Sequence, residues 1–164
     1  NIEFSVFIIG QVIILLSFLL FNFPNSKIFF GDGGSYLMGS LISLNAIITN
    51  NLNPNYSSFF FCILLFYLFF EVFFSFIRKI IQKKSPIHPD NKHLHMLIFE
   101  KVSLQYGKKT GNYINSIIIN FIYSVCVFPA LYFAKDPDLS RYWFFLLILI
   151  YLFIYFRLYR LTKN

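Results

Sequence analysis

An all-α, polytopic membrane helix bundle is the fold class that this sequence predicts, and three observations predict it. Hydrophobic residues make up 57% of the 164 positions and charged residues only 13%. Runs of about 18 or more apolar residues, the length needed to cross a bilayer, recur along the chain. Lys and Arg gather in alternate connections between those runs. An ordinary soluble domain of this size does not need so many unbroken apolar stretches.

Five transmembrane helices are expected, over 4–21, 36–49, 59–77, 113–133 and 142–159. The second is short and carries Ser40, Ser43 and Asn45, so it is expected to face protein rather than lipid. All but Lys135 and Arg141 of the 14 basic residues fall on one side of this arrangement. The positive-inside rule makes that side cytoplasmic. The net charge of +7 therefore serves orientation and anionic lipid, and no nucleic-acid partner is expected. The connection 50–58, with Pro54, and the turn Lys135-Asp136-Pro137-Asp138 lie outside and hold no grouping suited to chemistry. The connection 78–112 is long enough to suggest function and is read as a cytoplasmic loop. Cys62 and Cys126 lie within apolar runs, as packing residues. The chain enters a span almost at once after Asn1, with no charged leader or cleavage site. It reads as one partial membrane domain, 1–164, of a longer protein, without a signal peptide.

Two polar stretches interrupt the apolar pattern. In Phe29-Phe30-Gly31-Asp32-Gly33-Gly34-Ser35 an acid stands between long uncharged runs. A charge is costly in hydrocarbon, so Asp32 is placed at the membrane–water boundary. Three glycines let the backbone turn tightly and bring its N–H groups near an anion. The plain alternative is a connection in which Asp32 caps the next helix. The second stretch, 85–96, holds all three histidines of the chain, His88, His93 and His95. Pro86 and Pro89 fix an extended entry, and residues after His93 are helix-compatible up to Val102. His93 and His95 share a side only if the backbone between them is extended. No Cys joins them, and the spacing does not suit a dedicated zinc site. They are suited to holding phosphate or a nucleotide; the plain alternative is a basic loop with incidental histidines. Glu71, within the third span, is either functional or a packing acid hydrogen-bonded inside the bundle.

Together the two stretches resemble a known family. Asn22-Phe23-Pro24 and Lys27-Ile28-Phe29-Phe30-Gly31-Asp32-Gly33-Gly34-Ser35, continued by Leu37-Met38-Gly39, are similar to the Asn-Pro and F-M-G-D-x-G-S signature of the polyprenyl-phosphate N-acetylhexosamine-1-phosphate transferases. Ser85-Pro86, Pro89-Asp90 and His93-Leu94-His95 resemble that family's S-P-x-x-P-D-x-x-H-L-H loop. Order, spacing and cytoplasmic placement agree, and the resemblance runs from Asn22 to Met96 and more loosely beyond, through Glu71, Ser75 and Arg78.

The resemblance implies transfer of an N-acetylhexosamine-1-phosphate from a UDP-sugar, with UDP-GlcNAc first in line, to undecaprenyl phosphate, releasing UMP at the bacterial cytoplasmic membrane. It implies Mg²⁺, with Mn²⁺ as a substitute, held in part by Asp32, because two anions must be brought together. Asp32, His93 and His95 become the catalytic candidates. Asn22, Lys27, Phe29, Gly31, Ser35 and Asp90 become the substrate-binding candidates. Partners would be the UDP-sugar, the lipid phosphate and membrane lipid, with room for a homodimer. Three departures stand out: Met96 where a further His is frequent, Asn91 for a frequent basic residue, and Gly33 for a small polar one. The family's paired aspartates have no counterpart here, so the chain reads as the C-terminal half of such an enzyme, incomplete for catalysis alone. The competing reading is a non-catalytic membrane subunit or transporter fragment that uses Glu71 and the histidines as an ion or proton path.

Overall fold

The computed structural model describes residues 2–23 and 27–161. Pro24 of the Asn-Pro motif and Lys163 of the basic tail lie outside them. Every regular element among the described residues is helical: α1 (Ile2–Asn22), α2 (Gly31–Leu52), α3 (Ser58–Leu64), α4 (Phe66–Ile81), α5 (Leu94–Tyr106), α6 (Lys108–Val127) and α7 (Pro137–Leu161), with a 3-10 turn at Phe128–Leu131. The chain divides into two compact units, Asn1–Asn53 and Pro54–Asn164.

The expectation of five spans is corrected. Three helical stretches are long and apolar enough to cross a membrane, Ile2–Asn22, Lys108–Leu131 and Pro137–Leu161. A fourth counts if the bent pair Ser58–Leu64 and Phe66–Ile81 is one span. The stretch 36–49 lies inside α2, a helix of 22 residues that Ser40, Ser43, Asn45 and Thr49 make more polar than those stretches. In the first unit, Asn45 Nδ2 donates to Gln11 Oε1 of α1 at 2.6 Å, a side-chain bond of the kind that ties helices together where water is scarce.

The expected third span is broken. α3 and α4 meet at an angle of 76°, with Leu65 out of helical conformation between them. No Pro or Gly stands at the break. The Tyr123 hydroxyl of α6 instead donates to the Leu64 carbonyl, satisfying a backbone acceptor that the bend releases.

The expected loop 78–112 is also mostly helix: α4 runs to Ile81, α5 occupies Leu94–Tyr106 and α6 starts at Lys108. The helix foreseen after His93 is α5. Gly107, at φ +79°, makes the turn from α5 to α6, a backbone state that favours glycine. At Gly111 a Cβ would lie 2.9 Å from the Ser103 Cα, so a glycine lets these two helices close up. The core of this unit combines Ile63, Phe66 and Phe70 with Leu94 and Leu97, and with Leu147, Tyr151 and Tyr155 of α7. At one end the Ser57 N–H donates to the Ala134 carbonyl and Lys135 sits 5.6 Å from the Tyr56 ring. At the other, Lys92 meets Tyr159.

Candidate functional site

The turn that carries Asp32 is built by its own neighbours in the first unit. Asn22 Oδ1 accepts from the Ile28 N–H at 2.8 Å, closing the chain after α1. The Phe30 ring packs on Phe18 with centroids 4.8 Å apart. Gly31 adopts φ +69°, which a side chain would strain, and α2 starts there. A Cβ on Gly34 would lie 3.0 Å from the Phe30 ring, so this glycine makes room for the aromatic. Ser35 Oγ donates to the Gly31 carbonyl at 2.9 Å.

Asp32 is not the N-cap: Phe30 holds that position, with no side-chain cap, and Asp32 lies in the first turn of α2. A carboxylate there is favoured by the helix dipole. Asp32 and Lys27 are exposed, and Phe29 is 92% exposed.

The histidine stretch of the second unit is held from three helices. His93 caps α5 with extended backbone, φ −74° and ψ 152°. That backbone puts His93 and His95 on one side, their rings stacked with centroids 5.6 Å apart. Glu71 of α4, 7% exposed, organises the capping turn. Its Oε1 accepts from the Leu94 N–H at 3.0 Å and lies 3.0 Å from His93 Nδ1. Its Oε2 accepts from the Tyr151 hydroxyl at 2.7 Å. An ionised carboxylate can only accept, so the His93 tautomer that suits this contact carries its proton on Nδ1. Glu71 thus supplies the cap that α5's own sequence lacks, through contacts of the kind a packing acid makes. His95 Nδ1 lies 3.5 Å from the Tyr67 hydroxyl. Burial holds the His95 imidazole below its ordinary range, against the pull of the Glu71 charge and with the help of His93.

Asp90 is paired within the protein. Its Oδ2 lies 2.9 Å from Arg78 Nη1, and its Oδ1 accepts from Arg78 Nη2 and from the Lys92 N–H, each at 3.2 Å. His93 Nε2 lies 3.9 Å from the same Oδ1. Burial acts to raise the Asp90 carboxyl, but the hydrogen bonds from Arg78 and Lys92 and the charges of Arg78 and Lys79 outweigh it and hold the group low. Lys79 Nζ donates to the carbonyls of His88 at 2.7 Å and Pro86 at 3.2 Å. His88 itself is exposed.

Sequence reasoning missed the tyrosines of α7. Tyr151 donates to Glu71, Tyr155 donates to the Lys92 carbonyl at 3.0 Å, and Lys92 Nζ donates to the Tyr159 hydroxyl at 3.2 Å. The signal was present, since three tyrosines four apart line one face of a helix. Such a row of hydroxyls in an apolar helix needs buried partners.

The acids do not assemble a magnesium shell. Glu71 is saturated by three contacts, Asp90 faces Arg78, and Glu3, the other acid of the first unit, belongs to the first turn of α1, a helix away from Asp32. Among the described residues no group of three His, Cys, Asp or Glu side chains is arranged to hold a metal ion. Magnesium would need oxygen ligands beyond these.

Residues 1–50 match the glycosyl transferase family 4 profile. The chain is 33% identical over 102 residues to an undecaprenyl-phosphate alpha-N-acetylglucosaminyl 1-phosphate transferase of Thermotoga maritima, covering 60% of this chain and 34% of that protein. It is 35% identical over 83 residues to a probable undecaprenyl-phosphate N-acetylglucosaminyl 1-phosphate transferase of Bacillus subtilis, covering 49% of this chain and 23% of that one. The matched stretch therefore spans about a third or less of these relatives. No solved structure matches significantly. These alignments show that over part of its length the chain is homologous to the undecaprenyl-phosphate GlcNAc-1-phosphate transferases of glycosyl transferase family 4.

Proposed function

We propose that the chain is part of an enzyme that transfers an N-acetylhexosamine-1-phosphate, GlcNAc-1-phosphate first among the candidates, from its UDP-sugar to undecaprenyl phosphate. An oxygen of the lipid phosphate attacks the phosphorus next to the sugar. The bond from that phosphorus to the bridging oxygen breaks, and UMP leaves with the electron pair. The products are UMP and a lipid-linked sugar pyrophosphate, the start of a cell-envelope polysaccharide. In this reading both motif stretches face the cytoplasm.

His93 and His95 hold the donor's pyrophosphate or uridine part. His93 offers Nε2, since its Nδ1 is turned to Glu71, and the stacked rings present their edges to a common ligand. Asp32 is the carboxylate aimed at the phosphates' counter-ion. Lys27, Phe29, Gly31 and Ser35 frame the same turn, and Asn22 and Asp90 act by shaping the backbone on either side. Bound magnesium would neutralise the meeting anions, with Asp32 giving one of its ligands.

The observation that carries the reading is the contrast in commitment among the acids. Glu71 and Asp90 are fully engaged by donors, while Asp32 is exposed in a turn built around it. The test uses the full-length gene product in liposomes, with UMP release measured from UDP-GlcNAc. Release is expected only with undecaprenyl phosphate and Mg²⁺ present, and Asp32→Asn is expected to abolish it while shifting thermal unfolding by less than about 1 kcal/mol. Undiminished UMP release by Asp32→Asn would remove Asp32 from the site.

A further inference from the structure

Two side chains of α4 reach the first turn of α5, and they meet its two histidines in opposite senses. Tyr67 and Glu71 stand four apart in α4, on one face of the helix, and each faces the Nδ1 of one ring. Glu71 Oε1 lies 3.0 Å from His93 Nδ1. The Tyr67 hydroxyl lies 3.5 Å from His95 Nδ1, at the long end of a hydrogen bond. An ionised carboxylate takes a hydrogen from the nitrogen it faces, whereas a phenol has one to give.

The sense of the second contact follows from what surrounds the hydroxyl. The His95 backbone N–H is directed at the Tyr67 oxygen, so that oxygen already accepts. Among the described residues the acceptor within reach of the phenol hydrogen is His95 Nδ1. Burial favours the neutral ring at His95. A neutral ring that accepts at Nδ1 carries its hydrogen on Nε2.

The outer edges of the stacked pair therefore differ. Neither Nε2 is hydrogen-bonded among the described residues, the nearest carboxylate oxygen to that of His93 being 3.9 Å away, and neither is sealed from solvent. A neutral His93 with its hydrogen turned to Glu71 has a bare Nε2, and gives to a phosphate only as an imidazolium. His95 gives from the neutral ring.

On the transferase reading above, we infer that Tyr67 is a positioning residue. It fixes His95 with Nε2–H outward, so that a neutral imidazole donates to an anionic pyrophosphate oxygen of the UDP-sugar. Contacts of this kind are often long in ligand-free proteins and tighten when the ligand binds.

The test has two arms, both on the full-length protein. In the first, ¹⁵N-labelled histidine is observed by NMR at about pH 8, where ordinary histidines are neutral. The His95 signals are identified by their loss in His95→Gln. Wild type is expected to show Nε2 protonated and Nδ1 bare, and Tyr67→Phe to show signals averaged between the two tautomers. In the second arm, UMP release, Tyr67→Phe is expected to raise KM for UDP-GlcNAc roughly fivefold, as one neutral hydrogen bond is worth, with kcat held. The amide of His95→Gln keeps an N–H without help from the phenol, so Tyr67→Phe should add nothing in that background.

A wild-type His95 protonated on Nδ1 overturns the inference, as do His95 signals that Tyr67→Phe leaves in place. An equal KM penalty in both backgrounds overturns it too, since a mere packing role would act in each. The spectrum needs no substrate. A wild type that releases no UMP therefore counts against the transferase reading, while the spectrum still decides the state of His95.

Discussion

The turn around Asp32 and the stretch around His93 are organised in opposite ways. The turn is local: Asn22, Phe30, Gly31, Gly34 and Ser35 set its backbone by contacts within a few residues or with the adjacent α1. Its acid takes no part in that scaffold. The histidine stretch is held from a distance, by Glu71 and Arg78 of α4 and by Tyr151, Tyr155 and Tyr159 of α7. Its acids are the scaffold. An acid that structure does not need is a stronger candidate for chemistry than one that structure consumes, and this distinguishes Asp32 from Asp90 more sharply than their motifs do.

The largest expected effect tests the claim that Glu71 is structural. Glu71→Ala removes the cap of α5 and strands Tyr151 and His93, and should cost about 3 kcal/mol or more in detergent unfolding of the intact protein. An unchanged midpoint would erase the contrast with Asp32. Gly34→Ala comes next. The added methyl presses on the Phe30 ring, so a loss of about 1–2 kcal/mol confined to the first unit is expected, read as faster hydrogen exchange over 27–35 but not over 85–106. Spread of the protection loss to 85–106 would show that the turn is not locally built.

A smaller change, of about 1 kcal/mol, is expected at Lys83. It sits at φ +54° just past α4, where the N–H groups of Lys83 and Lys84 bond back to the carbonyls of Ile80 and Lys79. This is a helix ending that glycine favours. Lys83→Gly should therefore stabilise by up to about 1 kcal/mol, and a destabilisation would show that the lysine side chain holds the stretch that follows. The finest test is pH. Burial lowers the folded value of His95, so its contribution to stability is fully present above the ordinary histidine value near 6.5. It is lost as pH falls through the lowered folded value. Wild-type protein should unfold more easily at acid pH by this route, and His95→Gln should flatten that part of the profile; an unaltered profile would deny His95 its half-buried, neutral state.

The apolar runs made the helices legible, because hydrocarbon length is a linear property of sequence. The break at Leu65 was not, since no Pro or Gly marks it and its stabilising hydroxyl comes from Tyr123, 59 residues away. Span 36–49 differs for the opposite reason: Ser40, Ser43, Asn45 and Thr49 are plain in the sequence, and in so short a run they outweigh the apolar residues around them. At the site, Asp32, His93 and His95 could be picked out as motif residues. That Asp90 pairs with Arg78 could not, because the pair bridges a helix and a loop whose approach depends on tertiary packing. The tyrosine row of α7 is readable in principle, by its spacing of four.

The phenol that fills the break between α3 and α4 also indexes the bundle. Were α6 to slide along its axis by one residue, about 1.5 Å, the Leu64 oxygen would be left bare in apolar surroundings, at a cost of about 1–3 kcal/mol. Piston-like travel of that helix is thus opposed by this bond together with the one that Trp143 Nε1 donates to the Cys126 carbonyl, and removal of one oxygen atom, in Tyr123→Phe, would take away the first without altering the shape of the ring.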